Sequence, residues 1–228
     1  MTDWHSHVLP GIDDGSRSVK ESLEMLSLLR KQGVDRVIAT PHFYADNNTV
    51  EEFLDKREQS LARLRNEMNE ELPEVIPGAE VCYYPGISKL KGLERLCTEG
   101  TDVLLLEMPF NTWTMQTVNE VLELALCGEY TVLLAHIDRY IRLGNDSAIE
   151  KLCRAGVYFQ VNPDFRESFI TRRKVMKLIK DGYGVVLGSD SHNMRSRRPQ
   201  IDEAISYIRK KSDDEIFGRV MNTDIFDK

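Results

Sequence analysis

The chain has 228 residues, 41% of them hydrophobic, which is enough to bury a core, and its formal net charge at pH 7 is −7. The negative charge argues against nucleic acid as a partner, because a phosphate backbone is bound by clustered lysine and arginine side chains. The four cysteines lack a CxxC pair, and no basic leader or apolar run of about eighteen residues occurs, so we expect a cytoplasmic protein with reduced thiols and no membrane insertion.

Short runs rich in Val, Ile and Leu alternate along the chain with longer segments of helical periodicity. Strands are predicted at 2–8, 35–40, 74–81, 101–107, 131–136, 157–162 and 184–189. Helices are predicted at 18–32, 49–69, 86–97, 114–128, 146–155, 166–181 and 199–211, with a short last helix after Ser212. Two boundaries have clear signals, since Gly33 can end the first helix and Thr49 can form a capping box with Glu52.

The regular alternation of strand and helix indicates parallel strands joined by right-handed crossovers. We therefore predict an α/β fold, a distorted seven-stranded (βα)7 barrel similar to a TIM barrel, with residues 1–228 forming one domain. Seven units favour an incomplete barrel over the eight-stranded form. An open doubly wound sheet is the alternative, because sequence alone does not show closure.

Histidine and carboxylate side chains are concentrated where the predicted strands end. The first strand carries His5 and His7, which lie on one face because they are two residues apart, and the IDDG turn after it carries Asp14. The later strand ends carry His42, Glu80, Glu107, His136, Asp190 and His192, so that every histidine of the chain belongs to this set. Since the carboxyl ends of parallel barrel strands meet on one rim, we expect these side chains to converge.

Imidazoles and carboxylates at this density suit divalent ions such as Mn, Fe or Zn, and there are too many of them for one ion. The sequence therefore predicts a centre of two or three metals. A single strand-end histidine is more often structural than a ligand, so the prediction depends on the whole set. Asp13 beside Asp14 is ordinary turn chemistry, and only one of the two is expected to face inward.

Two arginines and two aromatic residues are predicted to lie on the same rim. Arg139 follows a predicted ligand by three residues, and Arg197 lies in the basic loop after the last strand. A guanidinium group matches phosphate oxygens bidentately, so both arginines are predicted to bind a phosphoryl group. Phe43 and Tyr44 are predicted to contact an aromatic substrate. Solvated loop arginines and simple loop anchors are the alternative interpretations.

Six stretches, DWHSHVLPGIDDGS, ATPHF, PGAEV, LLLEMPF, LLAHIDRY and GSDSHNMRSR, resemble the polymerase and histidinol phosphatase (PHP) superfamily over nearly the whole chain. The closest resemblance is to its bacterial manganese-dependent protein-tyrosine phosphatases of capsular and exopolysaccharide operons. It implies a three-metal centre with Mn²⁺, for which Fe, Zn, Mg or Co are substitutes, and a phosphoric monoester hydrolase that needs no cysteine. The implied substrate is phosphotyrosine in the autophosphorylated tail of a cognate bacterial tyrosine kinase.

The resemblance also implies a role for each site residue. His5, His7, Glu80 and Asp190 match the ligands of one metal, Glu80, Glu107 and His136 those of a second, and Asp14, His42 and His192 those of a third. Arg139 and Arg197 match the arginines that hold the phosphoryl group. One departure is that Ile137-Asp138 stand where the family often has Pro-Glu, which leaves a proton-transfer role at residue 138 unassigned.

Other functions share parts of this pattern. A histidinol-phosphate phosphatase or another small-molecule phosphoesterase of the superfamily would have the same metal rim. A non-catalytic metal-binding adaptor of a polysaccharide-assembly kinase is the alternative from another class, and the complete ligand set argues against it. An amidohydrolase is disfavoured because no lysine ends the fourth strand. The sequence leaves open the natural phosphoprotein and the formation of a homo-oligomer.

Overall fold

The computed structural model describes residues 1–221, and the last seven residues of the predicted domain lie outside the described residues. Nine parallel strands lie within the described part. They are β1 (Thr2–Ser6), β2 (Arg36–Ala39), β3 (His42–Phe43), β4 (Glu74–Pro77), β5 (Glu80–Cys82), β6 (Val103–Glu107), β7 (Thr131–Leu134), β8 (Tyr158–Val161) and β9 (Val185–Leu187).

The strands form two sheets, one with the order β1-β2-β4 and one with the order β3-β5-β6-β7-β8-β9. The predicted strand 74–81 is therefore broken into β4 and β5, which belong to different sheets. The predicted strand 35–40 corresponds to β2, and β3 follows it after Pro41, which has no N–H to donate to a ladder. A parallel bridge between Ser6 and Ser191 brings the chain after β9 back to β1. The predicted α/β, barrel-like fold is confirmed.

The helices are α1 (Val19–Lys31), α2 (Val50–Arg65), α3 (Met115–Leu126), α4 (Ile137–Arg142), α5 (Asp146–Arg154), α6 (Phe169–Lys180), α7 (Ile201–Lys211) and α8 (Asp214–Met221). The predicted capping box of Thr49 and Glu52 is present at the start of α2. Across residues 1–221, every helix is too short or too polar to span a bilayer.

Three helix predictions need correction. Residues 86–97 form two short 3₁₀ helices, Ile87–Lys89 and Leu93–Leu96, because Gly86 and Gly92 have positive φ angles of 94° and 84° that an α-helix does not accept. The helix predicted from residue 166 begins at Phe169, after another 3₁₀ turn. The six-residue helix α4 was not predicted, since it is too short to show periodicity.

The barrel interior contains an apolar layer below the strand ends. Its members are Trp4, Ile38, Val103, Leu105, Leu133, Ala135 and Val186. Between Asp3 and Ser6, β1 has one residue more than the paired stretch of β2. A bulge of this kind re-aims side chains, and here consecutive residues both face inward. Trp4 enters the apolar layer, and His5 faces Gln160 above it.

Candidate metal centre

The predicted ligands lie together at the carboxyl ends of the strands. They form four groups of three or four residues, and within each group the ligand atoms lie within 4.8 Å of one another. The groups are His7, Asp14, His42 and His192; His5, His136 and Asp190; His5, His7 and Glu80; and His42, Glu80 and Glu107. All nine predicted ligands occur in these groups, so the structure brings the whole set together.

Glu80 lies at the centre of this cluster and is fully buried. Its Oε1 lies 2.8 Å from Nε2 of His136, and its Oε2 lies 3.0 to 3.3 Å from ring nitrogens of His42, His5 and His7. Burial alone would raise the pKa of Glu80, but the surrounding imidazoles outweigh it and hold that pKa well below its usual range. Glu80 also belongs to two of the four groups, so it would be a ligand in both.

The grouping of ligands differs from the one that the family resemblance implies, most clearly around Glu107. His42 is the imidazole that shares ligand distances with Glu80 and Glu107. His136, which was predicted there, has its Nε2 4.0 Å from Oε1 of Glu107 and groups instead with His5 and Asp190. The side chains are packed so closely that neighbouring cation positions share ligands.

Three buried atoms of the cluster make no well-aligned hydrogen bond: Nδ1 of His42, Oε2 of Glu80 and Nε2 of His192. The first two lie 3.0 Å apart, but not in the orientation of a hydrogen bond. Buried polar atoms normally have a hydrogen-bond partner. These atoms are imidazole nitrogens and a carboxylate oxygen, which are the donors that divalent first-row metals prefer. The residues present therefore fit a metal centre.

Strand β8 supplies no ligand, but the amides of Gln160 and Asn162 hold the ligands in place. Oε1 of Gln160 lies 3.1 Å from Nδ1 of His5, and Oδ1 of Asn162 lies 3.1 Å from Nδ1 of His136. Nδ2 of Asn162 donates to Asp190 at 3.0 Å. Because an oxygen acceptor beside Nδ1 favours the proton on that nitrogen, Nε2 of each imidazole is left for a metal.

The two amides were missed by the sequence analysis, although a signal was present. The predicted strand 157–162 was the only one with no predicted ligand on it or just after it, and it ends in Gln-Val-Asn. Residues two apart on a strand share a face, so both amides had to point where the ligands point.

Asp13 and Asp14, adjacent in the IDDG turn, play different roles. Oδ2 of Asp13 lies 2.7 Å from Nδ1 of His7, so this carboxylate orients a predicted ligand. Oδ1 of Asp14 lies 3.4 Å from Nε2 of both His42 and His192. Asp14 is thus the aspartate that the structure brings among the candidate ligand atoms.

Backbone strain is concentrated in the cluster. Among residues 1–221, His136 and Asp190 are the only non-glycine residues with positive φ, at 52° and 49°. This conformation costs such residues about 1–2 kcal/mol, and strained residues gather at functional sites. The IDDG turn after β1 is also constrained, because a Cβ on Gly15 would lie 2.4 Å from the backbone oxygen of His7. The fold positions these groups at a cost to its own stability.

The charges of the cluster compensate one another. Burial opposes protonation of His7, but the hydrogen bond with Asp13 and the nearby Glu80 outweigh it and raise its pKa to about 10. Burial and the neighbouring His7 lower the pKa of His192 to about 4. Burial would raise the pKa of Asp190, but the surrounding imidazoles hold it far below its usual value. A metal competes with protons for these atoms, so we expect metal binding to release protons.

Both predicted phosphate-binding arginines contact the same aspartate. Nη2 of Arg139 donates to Oδ2 of Asp190 at 2.5 Å, and Nη2 of Arg197 donates to both carboxylate oxygens at 2.8 Å. The two arginine side chains are 32% and 39% exposed. They therefore extend from the buried cluster to the mouth of the barrel.

The two predicted aromatic contacts separate in the structure. Tyr44 stacks on His42 with the ring centroids 5.3 Å apart and is 37% exposed, which places it at the mouth. Phe43 is 1% exposed and packs edge-on against Phe53 of α2. Because side chains alternate along β3, Phe43 points into the core on the opposite face from His42, and the structure does not bring it to the mouth.

Asp138, which stands where the family often has a glutamate, lies in the first turn of α4 and is fully buried. Its Oδ1 accepts the backbone N–H of Asn162 at 2.9 Å, so it ties α4 to the end of β8. Burial raises the pKa of Asp138 to about 6. Its burial makes it part of the support of the site rather than a group at the mouth.

The fold and the site define a class: an α/β barrel whose strand ends gather candidate ligands for several metal ions beside two arginines. Residues 1–225 match the family described as "Capsular polysaccharide synthesis, CpsB/CapC". The chain belongs to the CpsB/CapC family. The resemblance that the sequence motifs indicated is thereby confirmed.

Two relatives are tyrosine-protein phosphatases. CpsB of Streptococcus pneumoniae is 30% identical, with 92% of this chain and 90% of that protein covered, and YwqE of Bacillus subtilis is 27% identical, with 95% and 87% covered. A crystal structure from the pair YwqE and CpsB, described as metal-dependent tyrosine phosphatases, matches with a TM-score of 0.81, 26% identity and coverage of 97% of this chain and 91% of that chain. Histidinol phosphate phosphatase of Lactococcus lactis shares the fold, with a TM-score of 0.59, 14% identity and 92% of each chain covered.

Proposed function

We propose that the chain is a metal-dependent protein-tyrosine phosphatase that acts on phosphotyrosine of a cognate bacterial tyrosine kinase and so regulates capsular or exopolysaccharide synthesis. The observation that carries the proposal is the convergence of nine candidate ligands and two arginines at one rim in a chain of the CpsB/CapC family. We further propose that the chain is a single domain that works in the cytoplasm.

The proposed cofactor is Mn²⁺, as two or three ions. The ligands would be His5, His7, Asp14, His42, Glu80, Glu107, His136, Asp190 and His192. When bound, such ions polarise a phosphoryl oxygen and make a water molecule more acidic. The protein's own contribution is to hold the imidazoles in one orientation through Asp13, Gln160 and Asn162.

The role proposed for Arg139 and Arg197 is to bind the phosphoryl group. Each guanidinium has several donors, not all of them used by Asp190, and each is partly exposed at the mouth. Arginine forks match phosphate oxygens, and they stabilise the charge on the equatorial oxygens in the transition state. A phenolate leaves with a pKa of about 10 and needs less protonation than an alkoxide, so no general acid is assigned.

The thiols give no support to a cysteine nucleophile. Burial raises the pKa of Cys82 and Cys153 to about 11 and that of Cys97 to about 12. Such groups are neutral near pH 7, and the thiolate is the nucleophilic form. The fourth cysteine, Cys127, caps the C-terminal end of α3, away from the strand ends that carry the cluster.

The proposal is tested with manganese-loaded protein on a phosphotyrosine peptide and on histidinol phosphate, side by side. We expect the peptide to be preferred. Arg139→Ala and Arg197→Ala should each lower kcat/KM by roughly 10²–10³-fold with unchanged manganese content, because each removes donors to the transition state. Arg195→Ala, an exposed arginine of the same loop, is the control and should leave turnover unchanged. A preference for histidinol phosphate would favour the small-molecule phosphatase, and binding without turnover would favour the adaptor.

A further inference from the structure

Large apolar side chains are exposed mainly at the metal-facing end of the barrel. Within residues 1–221, those exposed are Tyr44, Phe110, Met115, Leu126, Phe169 and Ile170. Two of them follow strand ends and three occupy the first turns of α3 and α6, so five lie on the side where the strands terminate. Leu126, the last residue of α3, lies at the opposite end. Apolar residues gathered on one face mark an interaction site, whereas scattered ones do not.

These side chains lie on both sides of α4, the helix that carries Arg139. On one side, the ring of Phe110 is 6.4 Å from the ring of Tyr140 in α4. On the other side, Arg142 of α4 donates to Thr171 in the first turn of α6 at 3.3 Å, beside the two apolar residues that begin that helix. The apolar groups are therefore continuous with the mouth of the metal centre through α4.

Helix α6 adds positive charge to this end of an otherwise acidic protein. Five of its twelve residues are lysine or arginine and none is acidic, whereas the whole chain has a net charge of −7. Arg173, in its first half, is exposed, and so is Arg142 of α4. The segment just before α6 is acidic, because Asp164 and Glu167 are exposed there. The positive charge is therefore confined to the surface formed by α4 and α6. Phe110, Arg142, Phe169, Ile170 and Arg173 together form what we term the rim patch.

We propose that the rim patch binds the polypeptide that flanks the phosphotyrosine of a protein substrate. This inference rests on the proposed function. The phosphate has to reach Arg139 and Arg197, so the residues beside the phosphotyrosine must cross the loops and helix starts that carry the patch. Aromatic and aliphatic side chains dominate the binding energy of such contacts, and exposed arginines attract an acidic segment. A second copy of this chain bound there would instead cover the mouth and exclude a protein substrate.

The double change Phe169→Ser with Ile170→Ser tests the apolar part of the patch. Two substrates are compared, p-nitrophenyl phosphate and an acidic phosphotyrosine peptide with flanking leucines. We expect kcat/KM for the peptide to fall about tenfold through KM, while turnover of the small phosphate stays unchanged. Leu126→Ser removes an equally exposed apolar residue at the other end of the barrel and should change neither value. An equal loss on both substrates, or a loss on neither, would overturn the proposal.

Charge reversal within α6 gives an independent test. Arg173→Glu should raise KM for the peptide, and added salt should reduce the difference from the wild type, because long-range attraction is screened. Lys180→Glu, at the far end of the same helix, should have no effect. If the double variant changes the oligomeric state by light scattering, the patch is a self-interface and the proposal is wrong.

The outcomes separate this inference from the proposed function. A wild-type protein that hydrolyses p-nitrophenyl phosphate but no phosphotyrosine peptide would reject the proposed function. Fluorescence anisotropy of a labelled phosphotyrosine peptide would then still test whether the rim patch binds the peptide. Equal affinity for the wild type and the double variant would reject it, and weaker binding by the variant would support it.

Discussion

The barrel interior contains two layers that are held together by different forces. The lower layer is apolar and is filled by side chains such as Trp4, Leu105 and Leu133. The upper layer contains imidazoles, carboxylates and amides centred on Glu80. Apolar groups gain free energy by leaving water, whereas buried ionisable groups lose it unless they are paired or bind a metal. The residues that stabilise the fold and the residues that form the candidate site therefore occupy adjacent layers along the same strands.

The upper layer also depends on exact placement in a way that the lower layer does not. It includes two strained non-glycine residues, His136 and Asp190, and three of its imidazoles are each oriented by a particular side-chain oxygen. An apolar layer tolerates a change of shape if its volume is kept. If this comparison is correct, a change in the lower layer should lower the free energy of unfolding and leave metal affinity unchanged. A change in the upper layer should instead weaken metal binding.

The largest expected effect is that of metal removal. Treatment with a chelator should reduce hydrolysis of p-nitrophenyl phosphate and of a phosphotyrosine peptide to background, and Mn²⁺ should restore both. Far-UV circular dichroism should be unchanged, because the helices pack on apolar strand faces rather than on the cluster. Activity that survives complete metal removal, measured by elemental analysis, would contradict the metal-dependent mechanism.

A change in the lower layer should affect stability alone. Leu105→Ala leaves a cavity among buried side chains and should lower the free energy of unfolding by about 2–5 kcal/mol, measured by urea denaturation. Manganese affinity and kcat/KM of the folded protein should stay unchanged. Leu126→Ala, at an exposed position, is the control and should alter the free energy of unfolding by no more than about 0.5 kcal/mol. Loss of metal from Leu105→Ala would show that the layers are coupled.

The amides of Gln160 and Asn162, at the end of β8, provide the opposite test. Gln160→Leu and Asn162→Leu remove the oxygens beside Nδ1 of two imidazoles and should weaken manganese binding by about 10–100-fold, measured by calorimetric titration. Asn145→Leu is the matched control, because Asn145 is also a buried, fully bonded amide but bonds to backbone groups around Trp113 and Tyr140. It should lower stability without changing manganese affinity. Equal manganese binding by the wild type and both β8 variants would deny the amides an orienting role.

The sequence predicted the upper layer better than its surroundings, and the reason is physical. Histidines and acids in otherwise apolar strands are costly, so their positions carry information, and all nine predicted ligands converge. Gln160 and Asn162 were missed because neutral amides at a strand end are unremarkable without their partners. Phe43 was predicted at the mouth as part of a strand-to-helix loop, but it belongs to the short strand β3, which directs its side chain into the core.

The fold was predicted at the level of alternating units, and its irregular parts were not. The bulge that turns both Trp4 and His5 inward depends on the pairing of β1 with β2, which no local pattern records. The same holds for the break in the predicted strand 74–81 and for the unpredicted strand β3, which occur where the chain passes from one sheet to the other. Such features arise from contacts between segments that are distant in sequence, and the secondary-structure propensity of each segment contains no information about those contacts.

The smallest expected effect concerns Cys82, which lies two residues past Glu80 on β5, at the border of the upper layer. A phosphatase with a thiol nucleophile would lose activity on Cys82→Ser, whereas a metal-dependent one should keep it. Burial raises the pKa of Cys82 to about 11, so its thiol is neutral at the pH of the assay. Substitution is preferable to alkylation, because a bulky adduct beside the cluster would block the mouth and mimic a chemical role. Unchanged kcat/KM on the phosphotyrosine peptide, with unchanged manganese content, is the expected result, and a loss of turnover at full metal content would move the chemistry from the imidazole cluster to the thiol.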